Sequence, residues 1–383
     1  MPRRVAARGE CSASYGARME TASIRSPFYD VAASLGASFM EEGGWCWIEG
    51  FGDPDGEYLA VRDDLGVWDV SPLNKWEFRG PDALVAAQAV HTNNILGLEI
   101  GQVRYGALCD SSGLMVDDGT VYRLADRVLV MTNGADRMEH FAEATAGLEV
   151  EIEPVTRSMP HLGLQGPRSR QALGALCAAD ISRLGYFRFI PEPTTVGGVP
   201  CLVSRTGFGG ELGYELFCQP GHAVDLWGVV VSQMKARPYG VGVLEALRVE
   251  AGLIVLDYDY CPHERTPYDL SLDKMVAIDK VEFLGSSQLK PIACDPPRRL
   301  KTLRIEGDKL PEHGAAVTRR GERAGTLTSP ALSPRFGLIA MAILERAACA
   351  DGERVEVETE GGSIPATVAP LAIYDPEKRR PRS

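Results

Sequence analysis

Apolar residues recur along this chain with two different periods, and the switches between them mark its elements. Residues 24–40 read as a helix, entered at Ser26-Pro27, with Tyr29, Val31, Leu35 and Phe39 at roughly helical spacing. A loop rich in glycine and tryptophan, residues 43–47, follows. Residues 58–69 again carry helical spacing, ending near Gly66-Val67-Trp68. A short alternating strand is predicted over 74–79 and a helix over 81–89. The stretch 103–131 reads as an antiparallel meander, with strands at 103–109, 120–122 and 127–131, residues 114–116 leading into the second, and a turn at Asp110-Ser111-Ser112-Gly113. A helix is expected over 136–144, a strand over 161–165, and a helix over 169–177 after the turn at Gly166-Pro167. Strands at 200–205 and 214–218 flank a glycine-rich turn. Two helices, 221–236 and 242–251, precede long connections over 253–288. Beyond Pro296-Pro297 the pattern becomes six short β-like runs separated by Gly, Pro and Asp, the signature of a small all-β module. Residues 378–383 read as a solvated basic tail.

The length of 383 residues suits two or three domains. We expect an extension over 1–22 that is disordered, an α+β region over 23–295 made of two interleaved units, and a β-barrel-like domain over 298–376. The formal net charge of -12 argues against a nucleic-acid partner but is compatible with a local basic pocket for a small anion. No apolar run is long enough for a membrane span. The first 18 residues carry four arginines and no apolar core of a secretory signal. Nine cysteines, an odd number without a C-x-x-C pair, read as buried thiols of a reducing compartment, so we expect a cytoplasmic protein. The six histidines form no short-spaced ligand set, and no metal is expected.

The turn Thr206-Gly207-Phe208-Gly209-Gly210-Glu211-Leu212-Gly213-Tyr214-Glu215 resembles a phosphate loop only superficially. No Lys-Ser/Thr pair follows it, and the next segment is β-like rather than the start of a helix. It reads instead as a glycine-rich hairpin that lets backbone approach a flat ligand. A G-x-S-x-G nucleophile elbow is absent from the sequence.

Six segments, in order over about 280 residues, resemble the aminomethyltransferase family: glycine-cleavage T-protein, the folate domain of dimethylglycine dehydrogenase, and folate-dependent demethylases. They are Trp68-Asp69-Val70-Ser71; Tyr105 to Asp118, with Ser112-Gly113-Leu114-Met115-Val116-Asp117-Asp118; Leu164-Gln165-Gly166-Pro167; the 206–215 hairpin; Leu247-Arg248-Val249-Glu250-Ala251-Gly252; and Gly325 to Ser329 with Ser333-Pro334 and Gly337 to Ala340. The resemblance implies three small domains around a central hole that holds tetrahydrofolate. It implies that Asp117 is the carboxylate near the reactive nitrogens of the folate, that Glu215 and Arg248 contact the pterin, and that Tyr105 and Asn133 line the cofactor. A pterin edge offers adjacent N–H donors, which one carboxylate can accept together. A fixed carboxylate can also manage the proton of an amine that gains carbon. Each residue has a plainer role open to it: a turn for Asp117-Asp118-Gly119, core packing for Tyr105, and a pair with Glu245 for Arg248.

The sequence departs from the family where S-H becomes Ser71-Pro72, where G-A-R-D becomes Gly242-Val243-Leu244-Glu245, and over 253–260. We assign most of these changes to the donor substrate or a carrier protein rather than to the pterin, with Trp45, Trp47 and Tyr258 as candidate substrate contacts. The expected reaction is transfer of a methyl group from a small O-, N- or S-methylated substrate to N5 of tetrahydrofolate. One alternative is the aminomethyltransferase reaction, which takes a lipoylated carrier protein as partner. Another is a non-catalytic folate-binding protein of iron–sulfur assembly, against which the retained Asp117 argues.

Overall fold

The computed structural model describes residues 23–279 and 281–383, so the extension expected over 1–22 lies outside the described residues. Three large sheets carry the fold, beside a two-stranded hairpin near the start of the described residues. The meander forms, with a second strand longer than the 120–122 expected: Val103–Cys109, Met115–Arg123 and Val128–Thr132 pair in sequence, then Asn74–Arg79 and Glu151–Pro154 complete a five-stranded antiparallel sheet. The second sheet has six strands in the order Thr194–Val196, Val199–Ser204, Gly213–Phe217, His161–Gln165, Gly66–Asp69 and Arg237–Pro238. The third is a closed barrel of Arg298–Ile305, Gly337–Glu345, Glu322–Ser333, Ala316–Arg319, Arg354–Thr359 and Gly362–Ala369. Closure pairs every strand edge and leaves the alternating apolar positions, such as Leu303, Val317, Leu327, Ala342 and Val357, packed inside.

The first two sheets face each other. One face of the six-stranded sheet buries Val67, Leu162, Leu164, Val203, Tyr214 and Leu216 against the helix Ala223–Gly228. Its other face meets the five-stranded sheet, where Val103, Tyr122, Leu129 and Met131 pack on Phe189 and Phe217. The far side of the five-stranded sheet is sealed by the helices Ala83–Val90 and Met138–Ala144 through Ala86, Ala87, Val90 and Phe141. Arg62 ties these parts to the rest. From the helix Pro54–Asp63 it donates to Glu250 at 2.7 and 3.0 Å, to the Leu247 carbonyl and to the Gly209 carbonyl. Tyr58 and the barrel residue Ser333 donate to the same Glu250.

Three expectations need correction. Only Tyr29–Ser34 is helical within 24–40; Ser38–Glu42 is a strand paired with Trp45–Gly50. The two-residue turn Gly43-Gly44 has φ of 58° and 80°, which glycine adopts without strain and which suits the twist of a tight hairpin. Gly66-Val67-Trp68 starts a buried strand rather than ending a helix; four buried residues in a row mark a strand covered on both faces. The basic tail docks: Lys378 donates to the Ala251 carbonyl at 2.9 Å, Arg205 donates to the Pro381 carbonyl, and Pro381 is buried.

Candidate active site

Strand alternation builds the site. Register places Tyr105 opposite Thr120, Val103 opposite Tyr122, and both Thr120 and Lys75 opposite Met131. Tyr105, Asp118, Thr120, Tyr122 and Lys75 therefore share the face that looks at the six-stranded sheet. From that sheet Glu215 sits opposite Gly163, and Gln165 sits between Gly66 and Gly213. Tyr122 bridges the two layers by donating to Glu215 at 3.2 Å.

The two aspartates of the motif point to opposite faces. Asp117 is fully buried on the side of the helix Met138–Ala144. Its Oδ2 accepts from Arg137 Nε at 2.7 Å, and its Oδ1 accepts from Asn133 Nδ2 at 2.7 Å and from the Asp118 N–H. Asp118 lies on the inner face. It accepts hydrogen bonds from Tyr105 at 2.9 Å, from Tyr260, and from Asn133 at 3.2 Å. Burial, and then the neighbouring Asp117, push its carboxyl up to about 7, against the opposing pull of the hydrogen bonds from Tyr260, Tyr105 and Asn133. Such a group can hold or release a proton near neutrality, whereas Asp117 is engaged in an ion pair. Tyr260, which the sequence did not single out, is brought in by the loop after Leu253. Neither strand alone singled out Asp118, since Tyr105 and Asp118 take the same face only through the pairing of their two strands.

Around Glu215 the surroundings are unusually polar for a buried layer. Its Oε2 accepts from Thr206 and Tyr122, and Oε1 takes no hydrogen bond among the described residues. Burial raises its pKa, opposed by the bonds from Thr206 and Tyr122 and by the charge of Lys75. Lys75 is wholly buried and donates to the carbonyls of Ser71 and Leu73 at 3.1 and 2.8 Å. Burial lowers its pKa to about 7, opposed by Asp69 and Glu215. Several buried polar groups without a hydrogen bond among the described residues lie on or just beyond these strands: both amide atoms of Gln165, both ring nitrogens of His161, and the Tyr239 hydroxyl. Such groups are rare in protein interiors and costly unless a ligand or water satisfies them. At Gly207 and Gly213 a Cβ would lie 2.3 Å from the Gln165 amide, so only glycine leaves that amide its place.

The remaining predicted residues separate. Arg248 was expected to touch a pterin, yet all five of its N–H donors have protein partners. Nε and Nη2 engage Glu245 at 2.9 and 2.7 Å, Nη2 also reaches Ser329, and Nη1 reaches Asp259 and the Leu253 carbonyl. It clamps the helix Val241–Ala251 to the 253–260 loop and to the barrel, where Thr328 and Ser329 also donate to Asp259. Tyr258 lies beside it, with the Arg248 guanidinium carbon 5.7 Å from the ring centroid. Trp45 and Trp47 do not share a pocket. Trp47 packs in a cluster with Tyr58, Trp68, Tyr239 and Leu244, and Trp45 lines a surface cleft with Arg25, Ser71 and Arg157. Among the described residues no group of His, Cys, Asp or Glu is arranged to hold a metal ion, and no helix is long and apolar enough to cross a membrane.

Two facing sheets with a polar layer between them, closed by a six-stranded barrel, define a T-protein-like fold. Residues 28–280 match the family model of the GCVT N-terminal domain, and residues 298–375 match that of the glycine cleavage T-protein C-terminal barrel domain. The chain belongs to the glycine-cleavage T-protein family of tetrahydrofolate-dependent transferases. An aminomethyltransferase of Rubrobacter xylanophilus is 35% identical, over 93% of this chain and 96% of its own. A trimethylamine-oxide aldolase of Ruegeria pomeroyi is also 35% identical over 93% of this chain, which spans 48% of that longer protein. The glycine cleavage aminomethyltransferase T of Bartonella henselae shares the fold, with a TM-score of 0.83 and 24% identity over 92% of this chain and 98% of that one.

Proposed function

We propose that this chain binds tetrahydrofolate between the two sheets and transfers a methyl group to it from a small O-, N- or S-methylated donor. The observation that carries the folate half is the polar layer itself. A half-satisfied carboxylate at Glu215 and the partnerless amide of Gln165 face a strip of glycine, a set suited to the flat, N–H-rich edge of a pterin. When bound, the cofactor supplies a nucleophilic amine that accepts the one-carbon unit. In this reading Glu215 orients the ring. Asp118, rather than Asp117, stands as the carboxylate that takes up or returns a proton, held in place by Tyr105 and Tyr260. Asn133 links the two aspartates and fixes their spacing. Arg248 acts as the positioning residue that holds the 253–260 loop, and with it Tyr260.

Support for a methylated donor comes from the departures. Pro72 and Leu244, where the family has a histidine and an arginine, are both buried, Leu244 beside Tyr239 and Trp68. Two charged or hydrogen-bonding groups are thereby replaced by apolar surface, which suits an uncharged or methyl-rich donor. The relative named trimethylamine-oxide aldolase points the same way. The aminomethyltransferase reaction with a lipoylated carrier is the second reading, favoured by the name of the Rubrobacter relative, which this chain matches nearly end to end.

Mass spectrometry of products separates the readings. Incubation with tetrahydrofolate and a panel of methylated amines, ethers and sulfides is expected to yield methyltetrahydrofolate and the demethylated donor. Ammonia release that requires lipoylated carrier protein supports the second reading and overturns the first. Folate binding without turnover of any donor defeats both.

A further inference from the structure

The cleft that contains Trp45 lies outside the polar layer but touches it. Its lining comes from four separate segments: Ile24, Arg25 and Pro27 at the chain entry, Trp45 at the hairpin, Ser71 after the strand Gly66–Asp69, and Thr156, Arg157 and Pro160 before the strand His161–Gln165. Two features set it apart. Arg25 and Arg157 are both exposed, and neither has a carboxylate partner among the described residues. No acidic residue contributes to the lining, in a chain whose net charge is -12. The cleft is thus a local reversal of sign on an acidic protein, and such a patch concentrates anions. Trp45, 7% exposed, gives it an apolar wall.

Ser71 connects cleft and chamber. Its hydroxyl accepts from the His161 N–H at 3.2 Å, its N–H donates to Asp69 at 2.9 Å, and its carbonyl holds Lys75. Both ring nitrogens of His161 are among the partnerless buried atoms of the chamber, and Lys75 bears electrostatically on Glu215. The cleft therefore abuts the backbone that positions the innermost charged groups, next to the Ser71-Pro72 departure.

We propose that this cleft is a carboxylate-binding subsite of the chamber, in which Arg25 and Arg157 take the carboxylate and Trp45 packs on the apolar or aromatic body that carries it. The inference rests on the folate reading for its place in the reaction. The same carboxylate chemistry has two sources, the glutamate end of a folate and a carboxylated methyl donor.

Calorimetry on the full chain tests it with three pairs of probes, on the wild type, on Arg25→Gln/Arg157→Gln, and on Arg25→Lys/Arg157→Lys. The first pair is tetrahydrofolate against the amide of tetrahydropteroic acid, which carries no carboxylate. The second is an N-methylated amino acid against its amide. The third is para-aminobenzoylglutamate against para-aminobenzamide, which needs no pterin site. The wild type is expected to prefer a carboxylate-bearing member by about tenfold, and the preference should shrink with salt. The glutamine variant should lose it without changing affinity for the partner that lacks the carboxylate, and the lysine variant should keep part of it. Loss in the first and third pairs assigns the folate tail; loss in the second assigns the donor. If no pair shows a preference, or the glutamine variant retains it, the subsite does not exist. Failure of both tetrahydrofolate and the tetrahydropteroic acid amide to bind the wild type overturns the folate reading instead, and the third pair still decides the cleft.

Discussion

Asp117 and Asp118 are adjacent in the chain and differ in almost everything that matters for chemistry. Asp117 accepts from Arg137 and Asn133 on the helix-covered face, and Asp118 accepts from two tyrosines on the face that looks across at Glu215. Asn in place of Asp118 is expected to lower turnover by about a hundredfold or more, the usual worth of a positioned proton-transfer group. It should also remove an inflection near pH 7. The sign follows from the raised pKa of about 7 in the folded protein: the carboxyl is protonated below the inflection and ionised above it. A pH profile of tetrahydrofolate affinity for the two proteins checks this, and an unchanged inflection in the variant would falsify the assignment. Asp117→Asn breaks a buried ion pair, a loss of about 3–5 kcal/mol in typical cases. Its main effect should therefore be a lower Tm, read by calorimetric unfolding.

At the scale of elements, the buried arginines join pieces that backbone pairing leaves separate. Arg248 holds the helix Val241–Ala251 to the loop bearing Asp259 and Tyr260 and to the barrel strand Glu322–Ser333. Arg248→Ala leaves Asp259 buried with its charge unanswered, and we expect about 3–5 kcal/mol of destabilisation, measured by denaturant unfolding. Arg248→Lys, which cannot reproduce the planar fork, should recover stability only in part. If instead Arg248 contacted a pterin directly, the alanine variant would lose folate affinity at unchanged stability. The glycine-rich hairpin was legible in the sequence, and so were the meander and the six barrel strands, because alternation over several residues with turn residues between is a strong local signal. The first hairpin was not legible. Residues 24–40 place apolar side chains at spacings that fit either period, and pairing with Trp45–Gly50 decided the outcome.

Across the whole molecule, the histidines set the response to acid. Burial lowers His91 and His140 to about 4 and His161 well below its ordinary value. An unfolded histidine titrates near 6.5, so between that value and about 4 the unfolded chain binds more protons. Stability is therefore complete above that window and falls as pH drops through it. The raised carboxyl of Asp118 works in the opposite direction over roughly pH 4 to 7 and should blunt the fall. The ring of His161 stacks on Phe217, with centroids 4.4 Å apart and planes 5° from parallel, and bonds to nothing among the described residues. His161→Phe keeps that shape and removes one titration. Its Tm should fall less steeply than that of the wild type between pH 6.5 and 4, in a thermal melt series across buffers; an identical slope would exclude His161 as a contributor.

Taken alone, the sequence determined the elements and the frame. Hydrophobic period and turn residues act over a few neighbours, so the six barrel strands, the strands of the meander and the hairpin at 206–215 were written locally, whereas closure of the barrel required the pairing of Arg298–Ile305 with Gly362–Ala369. Only the tertiary structure decided which carboxylate faces the chamber, because register and the irregularity between Leu108 and Cys109 belong to a pair of strands rather than to either one. It also decided that Arg248 is satisfied by residues up to 81 positions away, and that Arg25, Trp45, Ser71 and Arg157 line one cleft. Hydrogen bonds and field strength depend on distances in space, and a linear pattern of residue types does not contain those distances.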